Sequence, residues 1–330
     1  MVTPRLDVVH PGLQSTIQDW PGRVGYWRVG IPPSGPMDEL SFRLANRLVG
    51  NDQGTPGLEF QLLGPRLRAT CDVDIAIIAG SAPTIDGRPV ATGATETLRA
   101  GEVLDCGVVR AGARGYLAVA GGFRKALVLG SAATFARGGV GGPAIATGDE
   151  LILAAPRTGG PRFGLLPNAI PSFDDPAIIE VTAGPHLDWL DDAGLSVLVG
   201  GVWTVSSQSD RTGIRLAGPK VSFSRRALEK AAENGPDPTN VINTGYAIGG
   251  VNLCGDTPII LPVDGPSQGG FITPVVVVSA ALWKVGQLRP NRKLIFRRVS
   301  IDDAVAMRLS LEASIACAFA AAYESEEAIR

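Results

Sequence analysis

Apolar residues follow a helical period in only a few stretches of the chain. After Asp38, leucines recur at every fourth position, which places them on one face of a helix. Asp38 can cap the start of such a helix and Gly50 is suited to end it, so the pattern predicts a helix over residues 38–49. Residues 300–303 (SIDD) match a capping box and predict a second helix that continues to about residue 322. Two shorter helices are predicted at residues 187–193 and 280–285.

Most of the other apolar residues lie in short runs that are typical of β-strands. In the first half of the sequence these runs are residues 58–63, 75–79, 95–98, 103–109, 116–120 and 151–154. In the second half they are residues 178–182, 202–205, 214–216, 246–253, 259–262, 271–278 and 293–299. Asp86-Gly87 is the signal of a two-residue hairpin. The sequence also contains 42 glycines and 25 prolines, a density that favours many turns between short strands. These features predict a mainly β fold with a few helices, arranged as a barrel or a sandwich.

Composition divides the chain into two parts. Residues 156–177 are rich in proline, glycine and polar residues and form the best candidate linker. A chain of 330 residues can bury two modest cores. We therefore predict a β-rich domain at residues 1–160 and a second domain at residues 175–330 that ends with a helix.

The charge balance gives no sign of a nucleic-acid partner. The chain has 30 Lys and Arg against 32 Asp and Glu, and its basic residues are scattered, whereas nucleic-acid binding proteins carry basic patches. No apolar run is long enough to cross a membrane, and the N-terminus lacks the pattern of a secretory signal. We therefore expect a cytoplasmic protein with neither a nucleic-acid nor a membrane partner.

Histidine and cysteine are too sparse to predict a metal centre. The sequence has two histidines, His10 and His186, and four cysteines that are far apart, whereas a zinc site uses clustered ligands. We expect the cysteines to be reduced thiols and expect no metal site.

Residues 265–269 (GPSQG) match the G-x-S-x-G motif of serine hydrolases. That motif requires a strand, a sharp turn and then a helix, with a catalytic histidine after the serine. A strand-like run follows this segment, and no histidine follows Ser267. We interpret the segment as a turn whose glycines let a ligand approach backbone N–H groups.

Three polar loops remain as candidates for binding a small amide or carboxylate substrate. Arginine side chains and backbone N–H groups in such loops can hold a carboxylate or a developing oxyanion. Polar turns that only brace the fold are the alternative interpretation. The candidate residues are Gln18, Asp19, Arg23, Ser34 and Asp38 in the first loop region, Ser209, Asp210 and Arg211 in the second, and Asp264, Ser267, Gly269 and Gly270 in the third.

The ordered motifs of the whole chain resemble one protein family. They include residues 12–19 (GLQSTIQD), 34–38 (SGPMD), 43–51 (RLANRLVGN), 207–213 (SQSDRTG) and 264–271 (DGPSQGGF). This set resembles the allophanate hydrolase subunit 2 family, which is also known as the family of biotin-dependent carboxyltransferase subunits or of the C subunit of 5-oxoprolinase. Within it the segments are most similar to the carboxyltransferase domain of urea carboxylases and urea amidolyases. The 5-oxoprolinase branch usually has Thr-Gly-Gly-Tyr-Pro where this chain has residues 268–272 (QGGFI).

The resemblance implies a cyclophilin-like β-barrel and an obligate partner, subunit 1, with the active cleft formed between the two polypeptides. In the urea carboxylase branch such a module moves a carboxyl group from carboxybiotin to a urea nitrogen. The chain has no Met-Lys-Met biotin attachment sequence, so biotin would be carried by another chain. In the 5-oxoprolinase branch the complex uses ATP to open a lactam. A third hypothesis for the function of the chain is a non-catalytic regulatory partner of a kinase-inhibiting protein.

The chemistry of carboxyl transfer assigns roles to the candidate residues as a hypothesis. Arg23 and Arg211 would hold carboxylate or oxyanion groups. Asp210 or Asp264 would orient the substrate N–H groups or act as the base, and the backbone of Gly269-Gly270 would donate hydrogen bonds. The remaining candidates would bind the substrate. We expect the turns around Arg23, Arg211 and Asp264 to meet in one cleft.

Overall fold

The computed structural model describes residues 3–169, 171–173 and 175–321, and the regular structure in these ranges is mostly β-strand. The first twelve strands and the first helix are, in chain order, β1 (Arg5–His10), β2 (Thr16–Gln18), α1 (Glu39–Leu48), β3 (Gly57–Gln61), β4 (Arg66–Ala69), β5 (Val73–Gly80), β6 (Thr84–Ile85), β7 (Arg88–Pro89), β8 (Thr95–Leu98), β9 (Val103–Asp105), β10 (Ala111–Val119), β11 (Glu150–Ile152) and β12 (Phe163–Leu165).

The second half adds ten strands and four helices in the described part of the chain. They are β13 (Ala177–Ala183), α2 (Asp192–Gly200), β14 (Val202–Val205), β15 (Ile214–Ala217), α3 (Arg225–Leu228), β16 (Asn240–Gly245), β17 (Gly250–Cys254), β18 (Thr257–Ile260), β19 (Gln268–Phe271), β20 (Val275–Val277), α4 (Leu282–Gly286), β21 (Lys293–Arg298), α5 (Ile301–Ala316) and β22 (Phe319–Ala321). Single turns of 3-10 helix lie at Trp27–Val29, Ala136–Gly138, Pro167–Ala169, Leu187–Trp189, Ala232–Asn234 and Ser279–Ala281.

The chain packs into two compact units, each built from separate stretches of sequence. Unit 1 contains the residues up to Arg23, Glu39–Ser172 and the residues from Glu312 onward. Unit 2 contains Val24–Asp38 and Phe173–Leu311. The domain division predicted from composition stays a prediction, and the packing adds a feature that composition does not reveal. Residues 24–38 belong with the second half of the sequence, and residues from 312 belong with the first.

Unit 1 is built from two antiparallel sheets and one main helix. One sheet has the strand order β11-β1-β4-β9-β6-β7, and the other has the order β2-β3-β10-β5-β8. β5 is an almost continuous apolar run that lies between β10 and β8, and its first six residues are buried. α1 packs on β5 and β10, and the ring of Phe42 meets Tyr116 edge-on at 6.1 Å. A small pair, β12 with β22, joins residues that are far apart in sequence.

Unit 2 contains a closed seven-stranded barrel. Its order is β13-β20-β17-β18-β15-β14-β21, and the parallel pairing of β13 with β21 closes it. The interior is filled by apolar side chains such as Trp203, Val251 and Phe296, each fully buried. A separate two-stranded sheet pairs β16 with β19. The mainly β fold and the barrel implied by the resemblance are therefore confirmed.

Several local predictions hold and others need correction. The helix predicted at residues 38–49 is α1, and Gly50 follows it in the left-handed region at φ +69°. Asp86 and Gly87 both have positive φ between β6 and β7, which confirms the hairpin. The helix that starts after Ser300 is also confirmed, with the Ser300 hydroxyl donating to Asp303 at 2.7 Å. It ends at Ala316 rather than near residue 322, and residue 322 itself lies outside the described residues.

Several boundaries were predicted wrongly, and the run 103–109 forms β9 only over Val103–Asp105. The run 271–278 is interrupted by Pro274, so it belongs to β19 and β20. The run 246–253 begins with a turn, and β17 starts only at Gly250. The helix predicted at residues 187–193 is a 3-10 turn followed by α2, because the Asp191 side chain accepts from Gly194 N at 2.7 Å and starts a new helix.

Two further observations bear on the class of protein. All four cysteines are free thiols, as predicted. No helix in the described residues combines the length and apolar character that a membrane crossing requires. The cytoplasmic location stays a prediction.

Candidate functional site

Arg211 and Asp264 form a buried ion pair in unit 2. Arg211 lies in the turn between β14 and β15, and Asp264 lies in the loop that follows β18. Arg211 Nε donates to Asp264 Oδ2 at 2.7 Å and Nη2 approaches Oδ1 at 3.4 Å. The backbone strengthens the pair, since Asp264 N donates to Arg211 O at 3.2 Å. The two side chains are only 13% and 4% exposed, so the orientation of the guanidinium is fixed.

A third segment of unit 2 reaches the same ion pair. Arg211 Nη2 donates to the carbonyl of Gly35 at 2.8 Å. Ser34 N donates to Val263 O at 3.1 Å, so the loop at residues 34–35 is tied to the loop that carries Asp264. Ser34 adopts φ +56°, an uncommon conformation for a residue with a side chain.

The hydroxyl of Ser34 is buried and has no hydrogen-bond partner among the described residues. Buried polar groups are nearly always hydrogen-bonded, so an orphaned hydroxyl beside a fixed guanidinium needs an explanation. A substrate atom that accepts or donates a hydrogen bond at this point would satisfy it. The sequence-predicted residues Ser34, Arg211 and Asp264 therefore lie together as one constellation.

Asp210 and Ser209 brace the turn that carries Arg211. Asp210 Oδ1 accepts from Thr212 N at 2.8 Å, from Thr212 Oγ1 at 2.6 Å and from Gly213 N at 3.1 Å. Ser209 Oγ accepts from Arg215 N at 3.0 Å. Such side-chain contacts to nearby backbone donors stabilise turns. These contacts favour a positioning role for both residues.

Gly269 and Gly270 lie in β19 beside Tyr246. Tyr246 Oη accepts from Phe271 N at 2.8 Å. A Cβ atom on Gly269 would lie 2.7 Å from Tyr246 Oη, so the ring packs directly on the glycine backbone. Burial raises the pKa of Tyr246 above its usual value, and the phenol therefore stays protonated at neutral pH. Tyr246 thus orients the predicted donor strand, and no sequence pattern singles it out.

Ser267 and Asp38 complete the candidates in unit 2. Ser267 is half-buried and its carbonyl accepts from Tyr246 N at 2.8 Å. β19 starts directly after Ser267, where a serine hydrolase would have a helix. Asp38 is fully buried, and its Oδ2 accepts from Gln287 Nε2 at 2.7 Å.

Three other candidates lie in unit 1, where they hold two loops together. Gln18 Nε2 donates to Thr134 O at 3.1 Å. Arg23 is almost fully buried and donates from Nε to Val128 O at 3.0 Å and from Nη2 to Ala133 O at 2.7 Å. These carbonyl contacts are typical of an arginine that braces a loop.

Asp19 occupies a small nest of donors in the same region. Its carboxylate accepts from Ser131 Oγ at 2.6 Å, from Ala132 N at 2.8 Å and from Ala133 N at 3.1 Å. These three hydrogen bonds tie Asp19 to the loop at residues 131–133. The predicted meeting of Arg23 with Arg211 and Asp264 in one cleft stays a prediction.

Lys125 is a titratable residue that the sequence motifs do not reveal. Its Nζ donates to Thr134 Oγ1 at 2.5 Å. Burial lowers the pKa of Lys125 to about 8; the Asp19 carboxylate opposes this shift and the Arg23 guanidinium adds to it. The residues next to Lys125 in the sequence form no motif, so its lowered pKa could not be predicted from them.

No group of three or more histidine, cysteine, aspartate and glutamate side chains is placed to hold a metal ion within the described residues. Unit 2 offers a fixed guanidinium, backbone donors and a buried hydroxyl, and unit 1, described by itself, contains Lys125 with its lowered pKa.

Comparison with known proteins finds a matching family and several relatives. The family profile for the carboxyltransferase domain, subdomain A and B, matches residues 29–298. The urea amidolyase of Saccharomyces cerevisiae is 39% identical over 323 residues, covering 94% of this chain and 17% of the relative. The C subunit of the 5-oxoprolinase of Escherichia coli is 28% identical over 308 residues, covering 92% of this chain and 94% of the relative.

Solved structures give the same result. The crystal structure of the Kluyveromyces lactis urea carboxylase matches with a TM-score of 0.89 at 36% identity, over 96% of this chain and 29% of that one. The crystal structure of TTHA0988 matches with a TM-score of 0.78 at 32% identity, over 90% of this chain and 56% of that one. The chain thus spans less than a third of the urea amidolyase and urea carboxylase relatives.

Proposed function

Since this chain belongs to the carboxyltransferase domain family, subdomains A and B, we propose that it is one component of a two-part carboxyltransferase that moves a carboxyl group to or from a urea-like amide nitrogen. Subunit 1 of the same complex would be its partner. One observation carries the proposal: the Arg211–Asp264 pair binds, through Gly35 O, the loop that contains the buried, unpartnered hydroxyl of Ser34.

The residues of unit 2 suit the transfer step. Asp264 fixes Arg211, so the guanidinium needs no reorganisation when negative charge develops on the carboxyl group. The Ser34 hydroxyl can hydrogen-bond to the amide of the substrate. Gly269 and Gly270 would donate through backbone N–H groups of β19, a strand that Tyr246 orients by accepting from Phe271 N. Water exclusion around the pair would strengthen each of these contacts.

A biotin group carried by another chain would supply the activated carboxyl group. The donor set of unit 2, a guanidinium with a buried hydroxyl, fits the polar carboxylated end of such a group. No residue of this chain needs to bind it covalently.

A second candidate function is that of the C subunit of a 5-oxoprolinase, in a complex that uses ATP. It is favoured by the match to the Escherichia coli protein of that name, which extends over 94% of that protein. Identity favours the urea-directed function, at 39% for the yeast urea amidolyase against 28% for the Escherichia coli protein.

The test is a reconstituted assay of the complex with its partner polypeptides. Purified complex is supplied with ATP, labelled bicarbonate and either urea or 5-oxoproline, and product is followed for each substrate. We expect bicarbonate-dependent carboxylation of urea. Turnover of 5-oxoproline with none of urea would replace this function by the second candidate.

Arg211 is the residue whose substitution tests the site. We expect Arg211→Lys to lower kcat about 100-fold, because an ammonium cannot make the paired contacts of a guanidinium. Arg225→Ala is the matched control, since that arginine is also in unit 2 and its side chain is 85% exposed. If Arg211→Lys and Asp264→Ala both retain activity within a few-fold of the wild type, the assigned roles are wrong.

A further inference from the structure

The hydroxyl of Tyr246 in unit 2 accepts hydrogen bonds from two donors. Its Oη accepts from Phe271 N at 2.8 Å. Burial raises the pKa of Tyr246, and hydrogen bonds from Phe271 N and from the Asn252 side chain oppose that rise. A bond that opposes the rise favours the phenolate, so the Asn252 amide donates to the phenol oxygen.

The proton of the same hydroxyl has no acceptor within the described part of the chain. Tyr246 is only 8% exposed, and buried O–H groups are nearly always hydrogen-bonded. Because the oxygen already accepts from two sides, its O–H must point in the third direction. The phenol therefore presents a hydrogen-bond donor to an atom that a ligand can supply.

A buried network fixes the orientation of Asn252. Its Oδ1 accepts from Thr273 Oγ1 at 2.8 Å, and both side chains are buried. Thr273 is held in turn, since its backbone N donates to His186 Nδ1 at 3.1 Å. With its oxygen occupied by Thr273, the amide turns its N–H group toward Tyr246. The fold thus sets the direction of the Tyr246 proton.

Tyr246 lies against the strand that carries the predicted backbone donors. A Cβ atom on Gly269 would lie 2.7 Å from Tyr246 Oη, so the hydroxyl and this strand are in direct contact. Tyr246 N donates to Ser267 O at 2.8 Å, and Ser267 belongs to the segment that joins Asp264 to β19. All of these residues belong to unit 2. An acceptor atom that binds at Gly269 is therefore next to the phenol.

A neutral donor suits the carbonyl oxygen of a urea-like molecule. Burial keeps the phenol of Tyr246 protonated at neutral pH. The nitrogen of a urea shares its electrons with the carbonyl group, so charge that develops at the nitrogen during the reaction also appears on the oxygen. A fixed hydrogen bond to that oxygen becomes stronger as the charge develops and stabilises the transition state.

We propose that Tyr246 donates a hydrogen bond from its hydroxyl to the carbonyl oxygen of the urea-like substrate, and that Asn252 orients this hydroxyl. The inference rests on the proposed function and names the group that recognises the substrate oxygen. Tyr246 keeps its proton throughout the reaction. Thiourea is the matched probe, because its sulfur is a weaker acceptor than the oxygen of urea.

The first experiment detects the contact without an enzymatic assay. The label is Tyr246→3-fluorotyrosine, and the fluorine NMR signal of the reconstituted complex is followed while urea is added at concentrations far below those that unfold proteins. We expect a saturable shift with urea and a much smaller one with thiourea. The same label at Tyr116, whose hydroxyl donates to Glu59 in unit 1, should respond to neither. A signal from position 246 that urea leaves unchanged, in a complex that carboxylates urea, would overturn the proposal.

The second experiment measures the contribution of the hydroxyl to the reaction. We expect Tyr246→Phe to lower kcat for urea about 100-fold with a smaller change in KM, because one donor to a developing oxyanion contributes this much. The ratio of the thiourea inhibition constant to the urea KM should fall as well. Tyr116→Phe is the matched control, since it also removes a buried phenol hydroxyl, and it should change neither quantity.

Fluorination separates a donor from a hydroxyl that only braces the strand. A fluorinated phenol donates more strongly and accepts more weakly than tyrosine, and it keeps its contacts with Phe271 N and Asn252. We expect Tyr246→3-fluorotyrosine to raise kcat for urea. An unchanged or lower kcat would show that the oxygen acts only as an acceptor and would refute the proposal, whether or not Tyr246→Phe folds.

Asn252→Asp tests the orienting role. The new carboxylate still accepts from Thr273 but attracts the Tyr246 proton, so kcat for urea should fall below that of the wild type. Relative to the wild type, kcat should recover as the pH is lowered, because a protonated carboxyl group can donate to the phenol again. A loss of activity that does not depend on pH would assign Asn252 a structural role only.

The wild-type complex keeps the two ideas apart. A wild type that carboxylates no urea would overturn the proposed function, and this inference with it. An active wild type alongside an unimpaired Tyr246→Phe would overturn only the role of Tyr246.

Discussion

Arg23 and Arg211, which were both predicted to hold carboxylate or oxyanion groups, have different surroundings. Arg211 is paired with a carboxylate and touches a loop that contains an unpartnered hydroxyl, whereas Arg23 is almost fully buried and donates to backbone carbonyls. Breaking a buried ion pair by removing one partner costs about 3–5 kcal/mol, since the other charge stays behind. The Arg211–Asp264 pair therefore contributes to the order of unit 2 as well as to its chemistry.

His186 makes unit 2 sensitive to acid. Its Nδ1 accepts from Thr273 N at 3.1 Å, so the ring must be neutral at that nitrogen. Burial lowers the pKa of His186; Asp188 opposes the shift and Arg226 adds to it. A folded-state pKa below the unfolded value means that stability is present above about pH 6.5 and is lost as the pH falls through the folded pKa.

We expect the free energy of unfolding in urea to fall between pH 7.5 and pH 5 by less in His186→Asn than in the wild type. His10 is the only other histidine in the sequence and is exposed, so His10→Asn should keep the wild-type slope. Identical slopes in all three proteins would contradict this role of His186.

At the scale of single elements, the two-stranded sheet of β16 and β19 shows what sequence patterns can and cannot predict. The apolar run 271–278 predicted a strand there, but Pro274 cannot donate to a strand ladder and divides the run. Gly269-Gly270 was recognised as a place for close approach, and the structure gives it a neighbour in Tyr246. The identity of that neighbour depends on tertiary packing, which no local pattern contains.

Substitution of Gly269 tests this contact. A Cβ atom there would lie between 2.7 and 3.0 Å from three atoms of Tyr246, and we expect Gly269→Ala to cost about 1–3 kcal/mol of unfolding free energy through overpacking. Gly245 is in the paired strand and none of the described residues comes within 4 Å of its position for a Cβ, so Gly245→Ala is the matched control. Equal stability of the two variants by urea denaturation would show that Tyr246 moves aside freely.

At the scale of the whole molecule, composition and strand length predicted the fold class, and the motifs predicted the family. Barrel closure could not be predicted from the residues, because β13 and β21 are separated by more than ninety residues and pair in parallel. The membership of residues 24–38 in unit 2 is likewise a long-range property. The environment of Lys125 could not be recognised for the same reason, since it includes Asp19, Arg23 and Thr134.

The barrel core provides a measure of how unit 2 is stabilised. Phe296 on β21 is fully buried and lies opposite Ile179 of β13. We expect Phe296→Ala to lower the free energy of unfolding by about 3–5 kcal/mol. Val202, on the neighbouring strand and 47% exposed, gives the control Val202→Ala, with an expected change of about 0.5 kcal/mol. A similar loss in both variants, measured by chemical denaturation, would contradict a barrel stabilised by its interior.

The pairing of β12 with β22 has a consequence for how the polypeptide is made. Phe163–Leu165 meets Phe319–Ala321, and Arg43 binds Glu312, so unit 1 is finished by residues that leave the ribosome last among those described. While the barrel segment is being translated, β22 has not yet been made and the edge of β12 is uncovered. A nascent chain of this design depends on synthesis running to completion, and a gene shortened before codon 312 would yield an open edge suited to aggregation.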